Sequence, residues 1–324
     1  MESKIENPKS KIPRPHAALA AALLAAVGIS AFSGKIDPYH LDVAVGIGIN
    51  VILAVSLNLV NGYTGQFSLG HAGFMSVGAY LSAAVTMLLG PKILGESSGT
   101  AWQQSSLFFA ALVAGGLSAA FAGLLVGMPS LRLKGDYLAI VTLGFGEIIR
   151  VVFQNYEPLG GALGLNGIPA YTTIFWVLAF AALTVFTVYC LVHSTYGRGF
   201  LATHDDEIAA EAVGLNTTRY KIVAFVVGAF FAGIAGGLYG HFKQTVSPSG
   251  FDFMKSIEIV VMVILGGMGN TLGVILAAVL LTLLPEVLRG FSDYRMIIYS
   301  LLLVVLMLVR PQGLFNFQRR GPTS

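Results

Sequence analysis

Four stretches of this chain, 43–91, 97–131, 158–197 and 259–285, contain no Asp, Glu, Lys or Arg. A helix that crosses a bilayer needs about 20 consecutive, mostly apolar residues, and each stretch is longer than that. Charge is both scarce and segregated. The 324 residues include 19 Lys or Arg and 16 Asp or Glu, 11% of the chain, against about 25% in soluble domains. With 55% hydrophobic residues and a mean hydropathy of +0.77, a disordered segment, a collagen-like repeat, a disulfide scaffold and a soluble enzyme are all excluded. The expectation is an all-α, polytopic membrane protein.

Cys190 is the sole cysteine, which rules out an intrachain disulfide. In its apolar run it reads as a small buried residue and not a reactive thiol. The net charge is only +3. Its basic residues gather at the ends and in two short loops, which suits membrane orientation and not nucleic-acid binding. The 39 glycines suit closely packed membrane helices. Lys4, Lys9, Lys11 and Arg14 precede the apolar stretch 17–32. With membrane-embedded sequence downstream, this start reads as an uncleaved signal anchor.

Apolar runs bounded by charges or turn residues give about ten spans, near 15–33, 41–60, 67–90, 106–129, 136–156, 171–193, 222–242, 256–269, 271–289 and 296–310. The basic amino terminus, Arg132 with Lys134, Arg198 with Arg219 and Lys221, and Arg310 with Arg319 and Arg320 should all face the cytoplasm. Even numbers of spans then separate successive markers, and both termini lie inside. The chain divides into a cytoplasmic tail 1–14, a transmembrane domain 15–310 with a cytoplasmic loop 194–221, and a tail 311–324. Lys243 and Lys255 fall in an outer loop, an exception to the charge rule.

Two polar, Gly-rich stretches interrupt the apolar pattern at 61–73 and 266–273. Non-helical backbone at membrane depth survives only where protein buries it or water lines it. Paired interruptions in two halves point to a transport pathway; tight turns at the membrane surface are the plainer alternative. The pathway candidates are Asn61, Tyr63, Gln66, Ser68, His71, Gly266, Gly267 and Asn270. His71 has no second ligand at metal-binding spacing, so no metal site is expected, and a packed histidine is favoured over a proton relay.

Glu147 and Arg150 share a helix face at i, i+3. Arg150 stands about 21 Å along its helix from Asp136, near the outer interface, so a structural intramembrane ion pair is favoured over a gating role. In the loop 194–221, Thr203 or Asp205 can cap a helix over 203–214. Its first turn holds Asp205, Asp206 and Glu207, the charge sign that the helix dipole favours. Ile208, Ala209, Ala212 and Val213 form a small apolar face, and Gly214 is a natural stop. Such a face needs something to cover it, and an external partner is favoured.

At this loop the sequence resembles the permease subunits of bacterial ABC importers. Ile208, Ala209, Ala210, Glu211 and Gly214 match the EAA-type coupling motif, except that Ile208 replaces its glutamate. Four further stretches, 56–80, 131–150, 197–221 and 251–273, with the closing Arg310-Pro-Gln-Gly-Leu-Phe315, are similar to the branched-chain amino-acid permease family, its LivM-like branch in particular. The resemblance implies a type II ABC importer permease fold in a bacterial inner membrane. It implies a heterodimer with a paralogous permease subunit, two cytoplasmic ATP-binding subunits and a periplasmic amino-acid-binding protein. No Gly-x-x-x-x-Gly-Lys-Ser/Thr occurs, so the chain has no phosphate cradle of its own. ATP and Mg would be bound by the partner ATPases, and no cofactor by this chain.

The function expected is import of branched-chain or related hydrophobic amino acids by alternating access, driven through the coupling helix. A urea or short-amide permease is the alternative within the class. An ion-coupled secondary transporter should carry acids deep in broken helices, for which only Glu147 and Glu258 qualify. An intramembrane enzyme finds no catalytic constellation, so no catalytic residue is assigned.

Overall fold

The computed structural model describes residues 15–32, 34, 37–94, 100–131, 133, 135–291, 297, 300, 301, 304, 305, 313 and 314. The helices are α1 (Pro15–Phe32), α2 (Pro38–Asn58), α3 (His71–Leu94), α4 (Ala101–Ser130), α5 (Asp136–Asn155), α6 (Ile174–Val192), α7 (Thr195–Asp205), α8 (Glu207–Ala212), α9 (Thr217–Lys243), α10 (Phe253–Gly266) and α11 (Thr271–Val287). A two-residue antiparallel ribbon, β1 (Leu165–Asn166) with β2 (Thr245–Val246), ties the loop after α5 to the end of α9. Helices occupy every expected span except 296–310, which lies largely outside the described residues, as do the tails and the basic markers Arg132, Lys134, Arg310, Arg319 and Arg320.

Among the described residues, five segments are long and apolar enough to cross a membrane: Pro38–Tyr63, His71–Lys92, Ala101–Ser130, Ile174–Val192 and Thr217–Lys243. The protein is a multi-pass, all-α membrane protein. α2 runs through its centre, with every residue from Gly48 to Asn58 buried among α6, α9, α10 and α11. A helix apolar on all sides is what a surrounded position requires. α3, α4 and α9 pack most closely, along small residues. A methyl group on Gly78 would overlap the Gly233 backbone, one on Gly236 would overlap the Met75 carbonyl, and one on Gly115 would lie 2.8 Å from the Gly78 oxygen. Backbones approach this closely only where side chains are absent.

The region 253–287 departs from two full passes. α10 has 14 residues, about 21 Å at the usual rise per residue, short of the roughly 30 Å hydrocarbon layer. Lys255, near its start, reaches the Asn50 Oδ1 at 3.4 Å, and Gly269, past its end, donates to the Asn58 Oδ1 at 2.9 Å. α10 thus follows only the second half of α2. α11 returns along the same helix: Thr271 meets Tyr63, Thr282 meets Asn50, and Glu286 accepts from the Tyr39 hydroxyl. The pair is a helical hairpin with its turn at 267–270. Lys255 therefore does not lie in an outer loop; it is in the first turn of α10, level with the middle of α2. Counting positive charges places a lysine by its neighbours in sequence, and a half-length helix defeats that count.

Candidate functional site

The first interruption begins where α2 loosens into a π-helical turn, Leu59–Tyr63, a feature that marks functional sites in many helices. The chain then runs without helix from 64 to 70. Its backbone groups need partners at this depth, and three side chains, one on the turn itself and two on other helices, bond the backbone here and at the start of α3. The Asn61 carboxamide accepts from the Ser68 N–H at 3.2 Å and donates to the Ser68 carbonyl at 3.4 Å. The Thr142 hydroxyl of α5 accepts from Leu69 at 3.0 Å, and the Ser256 hydroxyl of α10 accepts from Ala72 at 3.3 Å. Farther along, the His71 Nε2 and the Ser56 Oγ lie 2.9 Å apart in the core.

The second interruption meets the first. A methyl group on Gly62 would overlap the Gly269 amide nitrogen, so these two backbones touch directly. The Asn58 Oδ1 accepts the Gly269 N–H, and the Tyr63 and Thr271 hydroxyls share a hydrogen bond at 2.8 Å. Gly266 abuts Val274 across the turn, Gly267 and Gly269 hold φ of 91° and 80°, and the Asn270 side chain caps α11 by accepting from Gly273 at 3.1 Å. Asn61, Tyr63, Ser68, Gly266, Gly267 and Asn270 are thereby assembled into one junction, with Tyr63 and Asn270 half-buried and the other four buried. Gln66 is buried too, but it belongs to a separate cleft beside α7 and α8.

The segment 194–221 forms two helices, not one helix over 203–214. Asp206, in an extended conformation (φ −156°, ψ 106°), ends α7 and caps α8 by accepting from Ile208 and Ala209 at 2.9 and 3.0 Å. Thr203 lies inside α7, its hydroxyl bonded to the Gly199 carbonyl, and Asp205 is the last residue of α7. The expected caps, Asp205 and Thr203, stand one and three residues too early, because Thr203, Asp205 and Asp206 all offer competing stops. Gly214, at φ +89°, closes α8. The Leu215 N–H donates to the Ala210 carbonyl and the Gly214 N–H to the Glu211 carbonyl, a complete Schellman motif.

Both acids of α8 bond to α9, although Glu211 is exposed. Glu207 pairs with Lys221 of α9 at 2.7 Å, and Glu211 accepts from the Thr217 hydroxyl at 2.6 Å. Ala210 is buried, whereas Ile208 and Val213 are 73% and 78% exposed, with Ala209 and Ala212 also exposed. α7 touches the interrupted helix: a methyl group on Gly65, at φ +67°, would lie 2.8 Å from the His204 Cδ2.

Glu147 and Arg150 form the expected ion pair at 2.7 Å, both half-buried. A second ion pair was missed. Lys255 and Glu258 lie 2.9 Å apart on α10, and Lys255 also reaches Asn50, whose Nδ2 donates to Thr282 at 2.9 Å. The signal was the i, i+3 spacing of opposite charges, the same one that marked Glu147 and Arg150. Placing Lys255 in a loop hides that spacing.

The model of the family described as "Branched-chain amino acid transport system / permease component" matches residues 39–309. The chain is 37% identical over 314 residues to the high-affinity branched-chain amino acid transport system permease protein LivM of Escherichia coli (strain K12), covering 86% of this chain and 70% of that protein. It is 24% identical over 288 residues to the permease protein LivH of the same-named system in that strain, covering 82% and 90%. The probable LivM permease of Methanocaldococcus jannaschii is 25% identical over 313 residues, covering 82% and 90%. No solved structure matches the chain significantly. With interrupted helices joined in its interior and a sequence matched along most of its length, this chain belongs to the branched-chain amino-acid transport permease family, its LivM-like branch.

Proposed function

We propose that this chain is a transmembrane subunit of an ATP-driven importer of branched-chain amino acids, set in a bacterial inner membrane with the α7–α8 elbow on the cytoplasmic side. Its relatives' names supply the substrate class. The observation that carries the mechanism is the placement of α8: an exposed apolar ridge, Ile208 to Val213, on an elbow whose other end touches the interrupted helix at Gly65. The ridge is the docking surface for a separate ATPase subunit, and α8's acids hold it to α9 without themselves contacting that subunit. ATP-driven movement of the elbow shifts the 64–70 segment, and with it the junction of the two interruptions. A paralogous permease completes the pathway, since the chain resembles two differently named permeases of one system. A periplasmic binding protein delivers the amino acid. ATP and Mg are bound by the ATPases, not by this chain.

The test is reconstitution of the chain with its genomic neighbours in proteoliposomes. Isoleucine delivered by the binding protein should accumulate only with ATP on the elbow side. Uptake driven by an ion gradient without ATP would sink the reading, and transport of urea in preference to isoleucine would replace its substrate.

A further inference from the structure

We propose that Gly313 and Leu314 are positioning residues for transport: they hold the turn of the α10–α11 hairpin still, so that movement of the 64–70 segment parts the two interruptions instead of carrying both along. The inference rests on the function proposed above for that movement.

The two residues are the described part of the closing Arg310-Pro-Gln-Gly-Leu-Phe315 motif, which neither the elbow nor the interruptions account for. α10 ends inside the protein, with Leu265 2% exposed and Gly266 and Gly267 buried. The final carbonyls of a helix have no partner within it, and at a buried end each needs one from elsewhere. The Ile264 carbonyl accepts from Gly267 at 3.1 Å, within the turn. The Leu265 carbonyl has no such local donor; it accepts the N–H of Leu314 at 2.7 Å.

Glycine makes this approach possible. Gly313 is buried, with φ of 94°, in the left-handed region that glycine enters freely. A methyl group on it would lie 2.6 Å from the Gly267 Cα and 2.7 Å from the Gly267 nitrogen, so backbone rests on backbone. The Leu314 side chain packs against the hydrophobic core, which fixes the pair to the rest of the protein.

The turn is thus gripped at two points. Gly313 lies on Gly267, and Gly62 lies against Gly269. The two grips differ in origin. Asn58 and Gly62 belong to the helix that leads into the 64–70 segment, whereas Gly313 and Leu314 come from beyond α11. A passage opens only when its two sides move relative to each other. A hairpin free to follow the 64–70 segment would keep the junction closed through the whole stroke. The Leu314 hydrogen bond and the Gly313 contact oppose that following, and make the hairpin the stationary side.

The experiment uses the whole complex in proteoliposomes and measures initial isoleucine uptake and ATP hydrolysis together. Leu314→Pro removes the N–H and strands the Leu265 carbonyl; Gly313→Ala drives a methyl group into the Gly267 backbone. Each should raise the ATP consumed per isoleucine about fivefold or more, the lower end of ordinary coupling between sites, with the ATPase subunits still bound. Leu314→Ala keeps the N–H and should stay closer to native than Leu314→Pro. The turn itself can be watched with a nitroxide attached through Met268→Cys in a Cys190→Ala background, since Met268 is 55% exposed and Cys190 is the sole cysteine. Its spectrum should show faster motion once Leu314→Pro is added. Where Leu314→Pro fails to assemble, Gly313→Ala carries the test. A merely structural contact would lower hydrolysis and uptake in proportion, so a native ratio of ATP to isoleucine in the variants that assemble would overturn this inference alone. Absence of ATP-driven isoleucine uptake by the native complex would overturn the proposed function and this inference with it.

Discussion

The carboxamide oxygen of Asn58 accepts the backbone N–H of Gly269 at 2.9 Å, joining the end of α2 to the turn of the α10–α11 hairpin. One side chain thus satisfies the backbone of an interruption more than 200 residues away. Its own Nδ2 has no partner among the described residues.

Replacing Asn58 by Leu should leave the Gly269 N–H buried and unpaired, at a cost of about 1–3 kcal/mol. Gly62→Ala should do more harm, because its methyl group would overlap both the Asn58 Oδ1 and the Gly269 amide nitrogen, the two atoms that this hydrogen bond joins. The apparent melting temperature of the purified complex should fall for both variants, further for Gly62→Ala. An unchanged melting temperature in Gly62→Ala would contradict the direct backbone contact.

Gly65→Ala tests the link from the elbow to the interrupted helix. The left-handed backbone costs an alanine about 1–2 kcal/mol, and the methyl group presses on His204. Uptake should fall while ATP hydrolysis persists, raising the number of ATP molecules consumed per amino acid. His204→Ala in the same chain should restore part of the uptake, by relieving contact but not backbone strain. Strictly additive losses would show that Gly65 and His204 do not act together.

Ile208→Asp and Val213→Asp should release the ATPase subunits during purification while the permease keeps its fold, since both side chains are exposed. Gly214→Val should act differently. A methyl group there meets nothing within 4 Å, so its harm comes from the backbone at φ +89°, and Gly214→Asn should be milder because asparagine tolerates that region. Equal ATPase retention in all four variants would argue against α8 as the docking surface.

For the pair on α10, Lys255→Met should destabilise more than the double variant Lys255→Met/Glu258→Met. Removing one partner strands the other charge, whereas removing both removes the desolvation cost as well. The partial exposure of both side chains, 23% and 39%, keeps the difference modest. Thermal unfolding of the single and double variants decides the matter; a double variant less stable than Lys255→Met would reverse the ordering.

Much of the fold was legible because membrane spans announce themselves by what they lack, and the charge-free stretches fall on α2 to α4, α6, α10 and α11. The interruptions were legible as well, through Asn61 to Gly65 and Gly266 to Asn270, whose residues suit turns and caps better than helix interiors. Their meeting was not. Periodicity and capping are local signals, and nothing in the order of residues near Gly62 names Gly269 as its neighbour. The elbow was half legible: Gly214 stood out as a stop, but Thr203, Asp205 and Asp206 are all acceptable caps, and tertiary contacts such as Glu207 with Lys221 chose among them. Charge counting failed at Lys255 because it assumes that every helix runs the full thickness of the membrane.

The glycine seams of α3, α4 and α9 limit what can move. Where Gly78 lies on Gly233 and Gly236 on Met75, the backbones are locked like threaded parts, and neither helix can rotate without driving side chains into its neighbour. These three helices form a chassis. The 64–70 segment has no helix of its own and is held in part by side-chain hydrogen bonds from Asn61 and Thr142, which can break and reform, so in the function proposed above the stroke falls to it.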